Sequence, residues 1–334
     1  MLPRYRHKMD QARILVLATG GTIAGQAGSA TRPDYRPGQI DIADFLDEFS
    51  RLGLDAQLEG RQVANIDSAN IGPELWTSLH QQISAAIDDP AYGGVIVTHG
   101  TDTAEETGFL LDQTLPTSKP IVLVGAMRPA DAVGSDGLRN FANAVQVAAH
   151  ADASGRGVLV VMGEHVLSAR DARKAHTAGT NAFKGFPRGP IGLATPVWLD
   201  WLAPPWRVAE PARFAFPNSF PLVPILHAFA GMEAACVTQA VAGGAQGIVL
   251  AGMGAGNSPD AVREALADAV RQGIPVVRAT RADDGLVHRE PEDDSNGFIA
   301  ARALGPAKAR ILLQLLIANG VTSMDEAQAA FDKR

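Results

Sequence analysis

Short apolar runs that alternate with longer amphipathic segments constrain this chain more than any other feature. The runs at 13–19, 94–99, 120–126 and 157–162 are rich in Val, Ile and Leu. Such runs are typical of strands buried on both faces of a sheet. Their alternation with helical segments predicts a mostly parallel sheet covered by helices on both faces.

The segments between these runs carry helical periodicity. In 73–88, a proline stands at the helix-opening position, and Leu75, Leu79 and Ile83 recur at four-residue spacing. That spacing forms one apolar stripe along a helix. The segment 136–150 has a similar pattern, so we expect a helix in both places.

The periodicity is lost in the proline-rich stretch 186–222, which predicts an irregular connection. Further apolar runs and helical segments follow it. A chain of 334 residues with 46% hydrophobic content is long enough to form two cores. We therefore expect an α/β fold with a larger N-terminal domain over 1–200, a linker over 201–222, and a smaller C-terminal parallel-sheet domain over 223–334.

Composition narrows the classes of partner. Lys and Arg number 29 against 36 Asp and Glu, and the basic residues form no dense run. This argues against a nucleic-acid surface and favours a small polar substrate. No window reaches the ~18 to 20 apolar residues of a membrane-spanning helix. The N-terminus lacks an apolar region of the export type, so we expect a cytoplasmic protein.

The number and spacing of the cysteines and histidines indicate whether the chain could form a metal site. Cys236 is the sole cysteine, which excludes an intrachain disulfide and a multi-cysteine metal site. We expect a buried, inert thiol. The eight histidines are scattered, and none is at ligand spacing from another His or Cys. We therefore expect no metal and no cofactor.

Two hydroxyl-rich turns follow predicted strands. They are "ATGGTIAG" at 18–25 and "THGTDT" at 98–103. Ligands of open α/β sheets bind beyond the carboxyl ends of strands, so the two turns could face one crevice. Neither stretch matches a dinucleotide fingerprint or a phosphate-binding loop. Structural roles stay open: Thr22 could satisfy a turn, and Asp102, or Thr103 with Glu106, could cap a helix that begins near 103.

Two charged stretches could likewise have either a structural or a functional role. Lys174 lies in "LSARDARKAHT", which could be a solvated face, or could present a base if burial favoured the neutral amine. The acidic stretch 290–298 could be a surface loop or could bind an ammonium group.

Taken together, these motifs resemble the bacterial L-asparaginases, and are similar to their type II branch. "ATGGTIAG" and "THGTDT" look like the two signatures of that family, with the same order and spacing. The resemblance extends to "VGAMRP" at 124–129, "RDARK" at 170–174 and "KARILLQL" at 308–315, and so covers nearly the whole chain.

The resemblance implies an amidohydrolase that converts L-asparagine to L-aspartate and ammonia. Thr22 would attack the side-chain amide and form an acyl-enzyme, with Tyr35 helping to remove the hydroxyl proton. Thr101, Asp102 and Lys174 would form a hydrogen-bonded group that activates a hydroxyl or a water. The glycines would let backbone N–H groups approach the developing oxyanion.

Substrate recognition is also implied by the resemblance. Ser68 would bind the α-carboxylate and Asp102 the α-ammonium, assisted by Asn257 and Glu290 from a neighbouring subunit. A homotetramer with shared active sites is expected. Ala69 departs from the family, because many relatives carry there a polar side chain that contacts the α-amino group.

Two further expectations complete the sequence-based picture. The segment 24–38 has few large apolar residues, which predicts a lid that closes over substrate. Alternative functions are a dual glutaminase-asparaginase, a subunit of a tRNA-dependent amidotransferase, and a non-hydrolytic amino-acid sensor. The basic face that a tRNA partner would favour is not evident in the charge distribution, and the joint presence of Thr22, Thr101, Asp102 and Lys174 argues against a sensor.

Overall fold

The computed structural model describes two units of the chain. They span Met1–Arg213 and Phe214–Arg334. The described residues are 13–27, 35–36, 38–54, 56–208 and 210–333, and the side chains of residues 27, 35 and 36 lie outside this description. Each unit is an α/β structure, as the alternating pattern predicts.

The first unit is built on a mixed eight-stranded sheet and two small antiparallel pairs. Its described strands are β1 (Arg13–Gly20), β2 (Gln26–Ala27), β3 (Tyr35–Arg36), β4 (Leu58–Ile66), β5 (Tyr92–Thr98), β6 (Ile121–Val124), β7 (Val158–Met162), β8 (His165–Ser168), β9 (Ala172–Lys174), β10 (Phe183–Gly185), β11 (Gly192–Ala194) and β12 (Leu199–Trp201). The main sheet has the order β12-β11-β8-β7-β6-β5-β1-β4. Strands β4, β1, β5, β6 and β7 run parallel, and the remaining three are antiparallel additions at one edge.

Helices cover both faces of this sheet. They are α1 (Ile42–Ser50), α2 (Pro73–Asp88), α3 (Ala104–Thr114) and α4 (Gly137–Ala148). Side chains of β1 show why both faces are covered: Ile14 and Val16 point into one core with Phe141, whereas Leu15 and Leu17 point into another with α2. Because successive residues of a strand face opposite sides, a strand that is apolar throughout requires two cores.

The helices and strands predicted for this unit are present, and two strands lie in a segment that was predicted to be irregular. Helix α2 begins at Pro73 and buries Leu79 and Ile83 completely, as its stripe predicts. The prediction of an irregular connection from residue 186 was wrong over its first part, because β11 and β12 lie there. These three-residue strands pair with β8 and with each other, and Pro190 and Pro196 lie outside them.

The second unit has a smaller sheet that is parallel throughout. Its described strands, in the order β13-β14-β15-β16, are β13 (Ile225–His227), β14 (Ile248–Gly252), β15 (Val276–Thr280) and β16 (Phe298–Ala300). The described helices are α5 (Ala235–Ala242), α6 (Asp260–Arg271), α7 (Pro291–Asn296), α8 (Pro306–Ala318) and α9 (Met324–Asp332). The predicted fold class, a larger and a smaller α/β domain, is confirmed, whereas the predicted domain limits stay a prediction.

Two smaller findings concern Cys236 and membranes. Cys236 is a free thiol that is partly buried against the core of the second unit, so it is more exposed than the buried thiol that we expected. Among the described residues, no helix has both the length and the apolarity needed to cross a bilayer.

Candidate active site

Three adjacent strands deliver the predicted polar residues to one edge of the large sheet. Strands β5, β1 and β4 are neighbours and parallel, so their carboxyl ends lie side by side. Thr22 follows β1 in a short 3-10 turn, Ser68 begins a similar turn after β4, and Thr101 follows β5. All three side chains are buried. The topology thus assembles residues that are far apart in the sequence.

Glycines allow these turns to touch through their backbones. Gly21 has a φ of +79°, and a Cβ there would lie 2.5 Å from the Cα of Gly100. Gly20 has a φ of +101°, and a Cβ there would lie 2.6 Å from the backbone nitrogen of Ile66. Both conformations and both contacts exclude larger residues. The bare backbone around Thr22 is therefore required because the turn after β1 is pressed against its neighbours on both sides.

The turns after β4 and β5 are tied together as well. A Cβ at Gly100 would lie 2.6 Å from Ser68 Oγ, so that serine hydroxyl lies directly over the β5 turn. The Thr103 hydroxyl donates a hydrogen bond to the Ser68 carbonyl oxygen at 2.8 Å. Helix α3 does begin after Thr103, but no capping hydrogen bond from the Thr103 side chain forms there. Its hydroxyl holds the neighbouring turn instead.

Lys174, Thr101 and Asp102 form the hydrogen-bonded group that the resemblance implies. Lys174 Nζ donates to Thr101 Oγ1 at 2.8 Å and to Asp102 Oδ1 at 2.5 Å. The lysine side chain is 17% exposed, whereas the Asp102 side chain is 61% exposed. Lys174 is therefore not on a solvated face. Its amine bridges a buried hydroxyl and a carboxylate that remains open to a ligand.

The hairpin of β9 and β10 fixes the backbone of Lys174. Lys174 pairs with Phe183 across this hairpin, and Phe183 packs into a core of the first unit. Directly paired residues lie side by side on one face of a hairpin, so the buried Phe183 anchors the strand position next to Lys174. A cavity of about 380 Å³ opens beside Lys174 and Asp102, lined also by Glu105 and His176.

The remaining predicted residues of the first unit are placed less completely. The backbone of Tyr35 lies in β3 and pairs with Ala27, but its side chain lies outside the described residues. Residues 28–34 and 37 of the predicted lid lie outside them too. Ala69 is exposed, and its backbone N–H donates to Asp67 Oδ1 at 2.9 Å. That N–H is thus already engaged within the turn.

Asn257 and Glu290 lie in the second unit and line one small cavity of about 30 Å³. Asn257 follows β14 in a tight turn closed by two backbone hydrogen bonds with Met253, of 2.7 and 2.8 Å. Glu290 immediately precedes α7. The reading of 290–298 as a surface loop was wrong, because α7 and the start of β16 lie there and Asp293 is buried.

His99 was missed by the sequence analysis and lies at the centre of a buried hydrogen-bond chain. Trp76 Nε1 donates to Thr107 Oγ1 at 2.9 Å, and the Thr107 hydroxyl is 2.9 Å from His99 Nε2. The Gly100 carbonyl oxygen beside Nδ1 can only accept, so we assign the proton of the neutral ring to Nδ1, and Nε2 accepts from the Thr107 hydroxyl. Nδ1 then donates to the Gly100 carbonyl oxygen at 2.7 Å.

Burial keeps this histidine neutral, since it lowers the pKa of His99 to about 4. The neutral ring fixes the carbonyl of Gly100, the residue that contacts Gly21 and precedes Thr101. The only signal in the sequence was a histidine directly after a buried strand. Nothing local predicted its partners, which lie on α2 and α3.

The strand-end turns, with buried hydroxyls beside a lysine and an open carboxylate, indicate a hydrolytic enzyme built from α/β domains. Family models agree with this class. The model described as "Asparaginase, N-terminal" matches residues 13–207, and the model described as "Glutaminase/Asparaginase C-terminal domain" matches residues 222–331.

Individual proteins show the same similarity. The chain is 38% identical over 309 residues to L-asparaginase 2 of Escherichia coli, covering 91% of this chain and 88% of that protein. It is 38% identical over 313 residues to the "Probable L-asparaginase periplasmic" of Haemophilus influenzae, covering 92% and 89%. The crystal structure of the "Probable Cytoplasmic L-asparaginase" from Campylobacter jejuni superposes with a TM-score of 0.92 at 34% identity, covering 97% and 100% of the two chains.

The chain therefore belongs to the asparaginase family, and it is an amidohydrolase. The resemblance noted in its motifs is confirmed.

Proposed function

We propose that this protein hydrolyses L-asparagine to L-aspartate and ammonia through an acyl-enzyme on Thr22. The observation that carries the proposal is the Lys174–Thr101–Asp102 group beside the glycine turn that holds Thr22. The names of the relatives support the substrate, because those at 38% identity are L-asparaginases.

In the first step, Thr22 Oγ1 forms a bond to the side-chain amide carbon of asparagine while its proton passes to Tyr35. Backbone N–H groups of the glycine turn stabilise the oxyanion, since glycine permits a close approach. When the carbon–nitrogen bond breaks, the leaving nitrogen receives this proton by way of the Tyr35 hydroxyl and departs as ammonia. An aspartyl ester on Thr22 remains.

In the second step, water attacks the ester and releases aspartate. Lys174 is 2.8 Å from the Thr101 hydroxyl, which is within the range for proton transfer between them. As the base of this step, Lys174 would accept a proton from Thr101, or from the attacking water by way of Thr101, and a proton would return to Thr22 Oγ1 as the ester breaks. Asp102, which bonds the same amine, holds it in this position.

Recognition of the free amino acid uses both of its backbone charges. The buried Ser68 hydroxyl would donate to the α-carboxylate, and the exposed oxygens of Asp102 would pair with the α-ammonium. Asn257 and Glu290 would complete the ammonium site from a neighbouring subunit. We accordingly propose a homotetramer with shared active sites, which light scattering would test.

Glutamine is the second candidate substrate. The description of the C-terminal family model names both glutaminase and asparaginase. Glutamine is longer than asparagine by one methylene group. A difference of one methylene typically gives ~1 to 3 kcal/mol of discrimination. Ala69 removes a polar contact that many relatives have, so affinity for either substrate depends on the remaining groups.

We also propose a cytoplasmic location and a catabolic role in asparagine breakdown. The name of the Campylobacter protein supports the location, whereas the Haemophilus relative is named periplasmic. Cell fractionation would test it.

The test of the function is ammonia release from L-asparagine and L-glutamine by the wild type, Thr22→Ala and Thr238→Ala. Thr238 is an exposed threonine on α5, so it is a matched control. We expect Thr22→Ala to lose at least ~10³-fold in kcat and Thr238→Ala to be unchanged. A mass increase of one aspartyl group on Thr22, trapped by acid quenching, would identify the acyl-enzyme. Wild-type protein that releases no ammonia from either amide would contradict the proposal.

A further inference from the structure

We propose that Arg278 is the positioning residue for the α-ammonium site, because its guanidinium holds both the turn that carries Asn257 and the segment that carries Glu290. The inference rests on the proposed function of these two residues. It concerns a buried arginine on β15 that neither the motifs nor the proposed mechanism uses.

Arg278 is almost completely buried and is paired with one buried carboxylate. Its Nε donates to Asp293 Oδ1 at 2.8 Å, and its Nη2 donates to Asp293 Oδ2 at 2.6 Å. The side chains are 9% and 2% exposed. Burial alone would lower the pKa of Arg278, but the Asp293 hydrogen bonds and charge outweigh it and raise that pKa above its ordinary value. The guanidinium is therefore a fixed cation with a defined plane.

The same guanidinium holds the turn that carries Asn257. Nη1 donates to the Ala255 carbonyl oxygen at 2.6 Å. Gly256, with a φ of +99°, packs against the arginine stem, since a Cβ there would lie 2.9 Å from Arg278 Cγ. The turn is thus both hydrogen-bonded to Arg278 and shaped around it.

The segment that carries Glu290 is held from the other side. Arg278 Nη2 donates to the His288 carbonyl oxygen at 2.9 Å, and Asp293 Oδ2 accepts the backbone N–H of Glu290 at 2.8 Å. The Glu290 carboxylate is 3.8 Å from Arg278 Nη2 and is 49% exposed. Arg278 thus positions the backbone of this segment, and about half of the Glu290 side chain remains exposed to solvent.

The geometry also explains why arginine is needed rather than lysine. The contacts to Asp293, Ala255 and His288 use three different nitrogens of one planar fork. A lysine has one nitrogen at the end of a flexible stem and cannot make all of them together. Arg278→Lys keeps the charge and removes the fork.

The experiment compares two substrates in five variants. L-asparagine carries the α-ammonium, whereas succinamic acid is the same amide without the amino group. We expect Arg278→Lys and the isosteric Asp293→Asn to raise KM for asparagine about tenfold with kcat changed less than about threefold, and to leave kcat/KM for succinamate within about twofold of the wild type. Glu290→Gln should likewise raise KM for asparagine and leave kcat/KM for succinamate unchanged. In the double variant Glu290→Gln/Arg278→Lys, the increase in KM for asparagine should be smaller than the product of the two single-variant increases. Arg289→Lys, in an exposed ion-pair cluster of the same segment, is the control and should change nothing.

Other results would overturn either the positioning role of Arg278 or the proposed function. Equal losses on both substrates, or an unchanged KM for asparagine in variants that melt like the wild type, would overturn the positioning role of Arg278. If one of the two variants fails to fold, the other decides the question alone. Wild-type enzyme without activity on asparagine or glutamine would instead overturn the proposed function.

Discussion

The two groups of proposed substrate contacts are held in place by different means. In the first unit, the turns after β1, β4 and β5 touch through their backbones, and Gly21 and Gly100 make that contact possible. In the second unit, the turn of Asn257 and the segment of Glu290 are joined by one side chain, Arg278. One region is built by backbone shape and the other by a buried charge.

This difference decides how each region responds to substitution. A backbone contact tolerates no added atom, but it depends on no charge. A buried ion pair tolerates small changes of shape, but removing one partner leaves the other charge without compensation. Substitutions that add atoms should therefore disrupt the first region most. Substitutions that remove the ion pair or its hydrogen bonds should disrupt the second region most.

Lys174→Met has the largest expected effect, because it tests the one part of the first region that depends on a side-chain charge. Removal of the amine leaves Thr101 and Asp102 without their common donor. We expect kcat for asparagine to fall ~10²- to 10⁴-fold, in the range for loss of a general acid–base group. Lys184→Met, at an exposed lysine of the same hairpin, is the matched control. Similar losses in both variants would show that the hairpin, not the amine, is responsible.

Gly21→Ala tests the backbone contact itself and should have the next largest effect. The new Cβ would lie 2.5 Å from Gly100 Cα, at a φ of +79°. We expect the free energy of unfolding to fall by about 2 to 5 kcal/mol, the sum of the clash and the left-handed conformation. Gly53→Ala is the control, since Gly53 has a φ of +67° but no atom within 4 Å of a Cβ. Denaturant unfolding that gives equal losses at the two sites would refute the backbone contact.

The same contrast explains what could be read from the sequence. The strands, the helix from Pro73 and the glycine turn leave local patterns, so the fold class and the first region were predictable. The strands β11 and β12 were missed because their pairing with β8, rather than their own sequence, stabilises them. Arg278 was missed because its burial and its partner Asp293 depend on packing between elements, which leaves no periodic signal.

A pH titration of stability sharpens the comparison, because His99 is the titratable group that supports the backbone-built region. Its pKa is about 4 in the folded protein and 6.5 in the unfolded chain, so the unfolded state binds the proton first as pH falls. Stability should therefore be full above pH 6.5 and should decrease by about 3 kcal/mol as pH falls to 4. His99→Asn should flatten this decrease, measured by denaturant unfolding across that range. An identical slope in the variant would show that other groups cause it.

Substitution of Ala69 should have the smallest effect, since the turn around it already satisfies its own backbone. The Ala69 N–H bonds Asp67, and its methyl group is exposed, so a longer side chain can be added without disturbing the fold. Ala69→Gln offers the substrate α-ammonium group a new acceptor, and a hydrogen bond at this exposed position contributes ~0.5 to 1.5 kcal/mol. We therefore expect KM for asparagine to fall about three- to tenfold, with kcat unchanged. Ala69→Leu, which adds similar bulk without the amide, should not lower KM. If both variants lower KM equally, added apolar contact rather than a polar contact determines affinity at this position.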